Sequence, residues 1–329
     1  MADGKNNGFD ARAMLELVSR TFSLGIEQLP PRLREPITVA YLLLRVSDYL
    51  EDNIEMPVAR KVDLLRLWAG VLGGRSGVEE LTRQLQGTNP EDPEAECARS
   101  AGDILALLRR LPLELQEIIL EEVIASTLGM ARWQKSGPDI PDEERLDDYM
   151  FEVAGRVGLM LTRIFAWYAR PIHAIREDLM PLAREFGLAL QTVNIVRNMR
   201  EDFDRGWIFA PDSFCTKAGL SRKDLFDPEM AGKALEVVSM LADKASRHSR
   251  KGLEYVKLIP ERFRHIRLFC TLPLFFAVRT TAISRGNTAV LEHEAKISRE
   301  EVWRIIEETG RRIDSNDWLD DYYRKLEVG

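Results

Sequence analysis

Apolar residues recur at intervals of three and four along nearly the whole chain, the spacing of one face of an α-helix. Met14, Leu15, Leu17, Val18 and Phe22 set this rhythm over 11–29, and Pro30-Pro31 stop it. A second helix is expected over 34–54 with Pro36 near its first turn, and a third over 58–73, closed by Gly73-Gly74. Residues 87–95 read as a loop from their Gly, Asn and Pro content. Further helices are expected over 95–110, 113–135, 142–170, 175–203, 228–257, 260–285 and 298–325. The stretch 204–215 breaks the period directly after a very polar helix end and reads as a functional loop. No alternation of period two persists, and no internal repeat or linker is visible. The expected fold is therefore all-α: a single-domain helical bundle spanning 1–329, with its core at about 11–312.

Composition narrows the class. Of 329 residues, 45% are hydrophobic and 30% charged, the balance of a soluble globular chain, and this length can enclose a ligand cavity. The net charge of -7, with no block of Lys or Arg, argues against a nucleic-acid partner. Cys97, Cys215 and Cys270 lie far apart without ligand spacing, which fits buried thiols in a reducing compartment. The first ten residues carry no apolar signal core, and the apolar patch at 268–278 is short and contains Pro273. A cytoplasmic location is expected, and peripheral membrane contact is compatible with an oily product. The oligomeric state is not specified.

Two polar stripes interrupt this apolar helical background. Tyr41, Arg45, Asp48 and Asp52 are spaced by four, three and four residues, so they share one helix face. Asp48 and Asp52 can aim at one hard cation such as Mg²⁺, which takes oxygen ligands and accompanies phosphates, and Arg45 suits a phosphate oxygen. Gln191, Asn194, Asn198 and Asp202 form the second stripe, with Arg197 and Arg205 beside it for phosphate. A solvated helix face laced with ion pairs is the bland alternative for either stripe. Both stripes, however, occur on helices otherwise rich in Leu, Val and Ile. Two carboxylate helices across a cavity would suit metal-assisted departure of a diphosphate, with an apolar cavity sheltering the carbocation.

At these residues the chain resembles the squalene/phytoene synthase family over roughly 20–300. Asp48-Tyr-Leu-Glu-Asp52 resembles its first aspartate-rich motif, and the run from Leu190 to Pro211 its second. Arg20-Thr-Phe-Ser23 matches an N-terminal signature. Gly129-Met-Ala131 and Tyr149-x-x-x-Val-Ala-Gly155-x-Val-Gly158 match further motifs. Phe269-Cys-Thr-Leu-Pro273 and Lys296-Ile-Ser-Arg299 look more like the squalene synthase branch. The resemblance implies an isoprenoid (terpenoid) synthase fold with a central cavity. It implies head-to-head joining of two farnesyl diphosphates with Mg²⁺ through presqualene diphosphate, then reduction by NADPH to squalene. It assigns Asp48, Asp52, Asn194, Asn198 and Asp202 to metal. It assigns Arg20, Phe22, Ser23, Tyr41, Arg45, Gln191, Arg197 and Arg205 to the substrate. Phe151, Phe269 and Phe275 join Phe22 as candidates for the prenyl cavity wall, against plain core packing.

Three positions depart from the family pattern. Asn198 stands at a usual Asp, Trp207 at a usual Arg, and Glu152 at a usual catalytic Tyr. An amide oxygen still ligates Mg²⁺ but adds no charge. Arg205 lies near Trp207, and Tyr149 lies one turn before Glu152, so Tyr149 and Glu152 are both catalytic candidates. Alternatives follow from these departures: a presqualene diphosphate, dehydrosqualene or phytoene synthase that uses no NADPH, or a non-catalytic prenyl-diphosphate-binding paralogue. No glycine-rich dinucleotide fingerprint is present.

Overall fold

The computed structural model describes residues 8–19 and 22–328, and all regular structure among them is helical. The contacts group the chain into two compact units, 1–135 and 136–329, where the sequence reading treats the chain as one domain.

The first unit runs through α1 (Ala11–Val18), α2 (Phe22–Glu27), α3 (Pro31–Asp52), α4 (Val58–Leu72), α5 (Val78–Gln84), α6 (Pro93–Arg99), α7 (Ala101–Leu108) and α8 (Leu113–Ser136), at whose end the unit closes. Its centre is α3. Pro31 suits the first turn of α3, because its fixed φ is helical and its missing N–H has no partner to lose. Leu42, Leu43, Val46 and Leu50 are fully buried against neighbours that include α4, α6 and α7. Polar ties fix the packing: Ser47 and Thr127 share a buried 2.7 Å hydrogen bond, and Cys97 Sγ donates to Leu42 O at 3.8 Å.

The second unit contains α9 (Glu143–Met150), a π turn at Phe151–Gly155, α10 (Arg156–Tyr168), α11 (Arg170–His173), α12 (Arg176–Arg197), α13 (Met199–Asp204), α14 (Asp212–Lys217), α15 (Ala231–Leu258), α16 (Arg264–Ser284), α17 (Arg299–Arg312) and α18 (Asn316–Val328). Its spine is the α12–α15 pair, with α10 and α16 packed on it. The approach of α12 to the π turn and α10 depends on glycines. A Cβ at Gly158 would stand 2.2 Å from Ala183 O, and one at Gly187 would stand 2.4 Å from Ala154 O. Helix backbones can come this close only where side chains are missing, so these two glycines fix the crossing.

Several helices that the periodicity joins are broken. Ser100 separates α6 from α7, the π turn and Ala169 interrupt 142–170, and Asn198 separates α12 from α13. Apolar periodicity survives such breaks, so it does not reveal them. Helix α16 is long and apolar enough to cross a membrane by length and composition, with a mean hydropathy of 1.5, which the sequence reading did not expect. In the fold it is a core helix, packed against α12, α15, α17 and α18.

The C-terminal helix docks through aromatics. Phe275 lies fully buried 6.2 Å from Trp318 and 5.4 Å from Tyr322, which places Phe275 in this core contact. Arg267, also fully buried, donates to the backbone oxygens of Ile313, Val256 and Ile259 and to Asn316 Oδ1, stitching α15, α16 and α18 together. Buried charge is tolerated there because every one of these donors meets an oxygen. A second network joins α9, α12 and α15. Lys244, 2% exposed, meets Asp147 at 2.6 Å and Glu143 at 3.3 Å, while His248 Nδ1 donates to Glu185 at 2.6 Å.

Gly158→Ala is expected to lose about 1–3 kcal/mol by forced overpacking, whereas Gly232→Ala, on an exposed turn of α15 with open space around it, is expected to be neutral or mildly stabilising. Parallel thermal melts check this. The His248 hydrogen bond holds the Glu185 carboxyl below the usual carboxylate range, helped by Arg184 and opposed by burial. A carboxyl depressed in the fold contributes stability above its ordinary pKa and loses it as pH falls through the folded value. Glu185→Gln should therefore lower Tm at pH 6 by roughly 1–2 °C, the shift that about 1 kcal/mol produces in a chain of this size. The difference should vanish by about pH 3, and melts across that range measure it.

Candidate active site

The first stripe lies on α3 as a bonded chain. Tyr41 OH donates to Val18 O at 3.3 Å, and Arg45 Nη2 donates to Tyr41 OH at 2.7 Å. Arg45 Nη1 donates to Glu94 Oε1 at 3.2 Å and stands 3.7 Å from Asp48 Oδ2. Arg45 Nε is sealed from solvent without an acceptor among the described residues. Phe22 lies half-exposed with its ring 6.2 Å from that of Tyr41, and Ser23 is buried nearby in α2, its N–H bonded to Ser19 Oγ. Arg20 lies outside the described residues.

Burial shapes the acids of this stripe. It pushes Asp48 up to about 6; Arg45 opposes the rise, and the charges of Asp52 and Glu94 add to it. It also pushes Glu51 well above the usual range, with Asp52 and Asp48 adding to the effect. Glu51 is buried, and its Oε1 has no hydrogen-bond partner among the described residues. Lys61 Nζ donates to Glu51 O at 2.7 Å, and its charge and a hydrogen bond with Gln134 oppose the rise at Glu51. Three carboxylates within five residues, two of them raised by burial, form a set that a hard divalent cation would satisfy. No three His, Cys, Asp or Glu residues converge into a preformed cage among the described residues.

The second stripe lies in the other unit. Asn198 leaves helical geometry at φ -106°, yet its N–H bonds Asn194 O and its own oxygen accepts from Asp202 N, both at 2.9 Å. The i→i−4 ladder thus passes through the break and keeps the stripe in register. Asn194 is exposed and donates to Gln191 Oε1 at 3.4 Å. Arg197 Nε donates to Asn198 Oδ1 at 3.1 Å and pairs with Glu294 at 3.2 Å. Asp202 is buried and pairs with Arg205. Arg205, expected near substrate beside Trp207, therefore contacts the stripe's own carboxylate.

Gly206, at φ +86°, turns the chain so that Trp207 N–H reaches Asp202 O at 2.8 Å. The turn delivers Trp207 into an aromatic stack. Its ring is 5.4 Å from Phe209 and 6.3 Å from Tyr149, and Tyr149 is 4.6 Å from Phe209. Tyr149 is buried at the end of α9, and the π turn that follows carries Glu152. Single π turns inside helices often occur at functional sites. Arg156 Nε donates to Glu152 Oε2 at 2.6 Å, with Nη2 3.5 Å from Oε1, so Glu152 is an ion-pair partner here.

Four contributors escaped the sequence reading of the site. Glu51 stood inside the first motif without a role. Glu94 lies at the edge of a stretch read as a loop. Glu294 lies outside every stripe, and Phe209 sits in the irregular segment. A buried carboxylate inside an acidic motif was a usable signal for Glu51; for Glu94 and Glu294 only tertiary packing reveals the connection.

The family model for squalene/phytoene synthase matches residues 15–301. A probable squalene synthase of Neurospora crassa is 29% identical over 303 residues, covering 91% of this chain and 61% of the relative. Squalene synthase ERG9 of Saccharomyces cerevisiae is 30% identical over 293 residues, covering 86% and 63%. The chain thus spans less than two thirds of the length of these relatives. Among solved structures, TcSQS with the ligand BPH1237 matches with a TM-score of 0.82 at 23% identity, covering 96% of this chain and 90% of that one. A dehydrosqualene synthase in complex with ligand gives 0.58 at 20%, covering 96% and 95%. These likenesses place the chain in the all-α terpenoid synthase fold.

Asn198→Asp should lower the Mg²⁺ concentration needed for pyrophosphate binding by about tenfold, because it adds charge at a position that the resemblance assigns to metal. Asp52→Ala should abolish the Mg²⁺ dependence with the fold intact. Calorimetric titration at graded Mg²⁺ reads both, and an unchanged profile in either variant removes that residue from the metal site.

Proposed function

The chain belongs to the squalene/phytoene synthase family, and we propose that it joins two farnesyl diphosphates head to head through presqualene diphosphate and, with NADPH, forms squalene. The observation that carries this reading is the pair of oxygen-rich stripes, Tyr41 to Asp52 and Gln191 to Asp202, set on otherwise apolar helices and each accompanied by arginine.

Mg²⁺, when bound, would neutralise the diphosphate leaving group. Asp48 and Asp52 would hold metal on the first stripe and Asp202 on the second, with the amide oxygens of Asn194 and Asn198 as neutral ligands there. Arg45 and Arg197 would bind diphosphate oxygens, and Gln191, Tyr41, Ser23 and Arg20 would line that pocket. Tyr149, buried beside Phe209, would pass the proton lost on cyclopropane closure to the departed diphosphate. Trp207 and Phe209 present apolar faces that exclude water, and aromatic faces attract a nearby cation. Glu152, bound by Arg156, would fix the π turn behind Tyr149. NADPH rests on family likeness: Lys296 and Arg299 lie exposed around the capped start of α17, where a nucleotide phosphate could reach them, and no step is assigned through it.

A stop at presqualene diphosphate is the second reading. Trp207 favours it, since it places an indole where squalene synthases commonly carry an arginine.

Pure protein incubated with farnesyl diphosphate and Mg²⁺ should form squalene only when NADPH is added, as read by extraction and mass analysis. Presqualene diphosphate or dehydrosqualene in both tubes would move the chain to the second reading or to a dehydrosqualene activity. Absence of any released diphosphate would contradict catalysis with this substrate.

A further inference from the structure

Two of the arginines proposed to meet diphosphate are already held by carboxylates carried in from elsewhere. Glu94, in the first turn of α6, takes Arg45 Nη1 at 3.2 Å. Glu294, from the segment before α17, forms an ion pair with Arg197 Nε at 3.2 Å and also pairs with Lys296, while the Arg197 Nε–H itself donates to Asn198 Oδ1 at 3.1 Å. In each contact one carboxylate oxygen approaches one arginine nitrogen without the paired fork–fork geometry of a strong pair, and Asp48 stands 3.7 Å from the same Arg45 nitrogen as Glu94. Both carboxylates retain exposure, 40% for Glu94 and 30% for Glu294, so either can swing into water at modest cost. Arg45 is only 22% exposed and keeps a buried Nε without an acceptor among the described residues, so its present partners leave donor capacity unused. A diphosphate brings more charge and more acceptor oxygens than one carboxylate and can satisfy such a guanidinium more fully.

We infer that Glu94 and Glu294 are displaceable latches: positioning carboxylates that hold Arg45 and Arg197 in the ligand-free protein and give them up to a diphosphate. The inference rests on the proposed function, since it takes these arginines as diphosphate ligands. A latch offsets part of the binding energy, because its hydrogen bond must break before the phosphate oxygen replaces it. Removing it therefore tightens diphosphate binding, and does so only through the arginine that it holds.

Inorganic pyrophosphate is the probe, titrated by calorimetry in the presence of Mg²⁺. Glu94→Gln and Glu294→Gln should each bind about tenfold tighter than wild type, the worth of one competing charge-assisted hydrogen bond. Glu94→Asp, which keeps the charge but shortens the reach, should also gain, separating a latch from a general change in net charge. In an Arg45→Met background, Glu94→Gln should gain nothing. Variants that bind like wild type or weaker, or a Glu94→Gln gain that persists without Arg45, would overturn the inference. Wild-type protein that binds no pyrophosphate would instead overturn the proposed function on which it rests. Far-ultraviolet dichroism melts of each variant establish that the fold is retained.

Discussion

Carboxylates set into an apolar helix are costly unless positive charge meets them, and the surroundings of α3 follow from that cost. Asp48 and Glu51 are pushed toward their neutral forms by burial, with Asp52 and Glu94 adding to the effect at Asp48 and Asp52 and Asp48 adding to it at Glu51. Arg45 faces Asp48, and Lys61, bonded to the Glu51 backbone oxygen, together with Gln134 opposes the effect at Glu51. A packed core would replace such residues by leucine at little cost or even with gain. Their presence supports the proposal that a cation and its anionic partner bind at this stripe. The second stripe handles the same problem differently, since Asp202 is paired internally with Arg205 and Asn198 lends its oxygen to Arg197.

The scaffold behind the second stripe is built for close approach. Gly158 and Gly187 let α12 touch the backbone of the π turn and α10, and that crossing sets where Tyr149 and Glu152 emerge. The Val-Ala-Gly motif is therefore readable as packing without any catalytic role for its glycines. Gly206 and Trp207 act in the same spirit, using a left-handed turn to bring an indole beside Tyr149. An arginine at 207 would have brought charge to this stack; tryptophan makes it apolar.

Much of this was legible from sequence because a helix face is a one-dimensional code. The spacing of Tyr41, Arg45, Asp48 and Asp52 requires a common face once α3 is helical, and the ladder through Asn198 preserves the second stripe in the same way. What stayed hidden was tertiary. Periodicity cannot show that one extra residue is taken up at Phe151–Gly155, nor that Ser100 parts two helices. Glu94 and Glu294 are 49 and 97 positions from the arginines they hold, so nothing local distinguishes them from surface acids. Phe275 was a candidate for a cavity wall, and its place in the core is decided by Trp318 and Tyr322 from the far end of the chain.

Both polar stripes are proposed to hold metal and diphosphate. The most direct test is a crystal structure with Mn²⁺ and a non-hydrolysable thiodiphosphate analogue of farnesyl diphosphate, with the metal located by anomalous scattering. Metal is expected at about 2.1 Å from carboxylate oxygens of Asp48 or Asp52 on the first stripe, and of Asp202 on the second, with diphosphate oxygens on Arg45. Metal found only at unrelated surface acids, with Asp202 still closed on Arg205, would contradict this proposal.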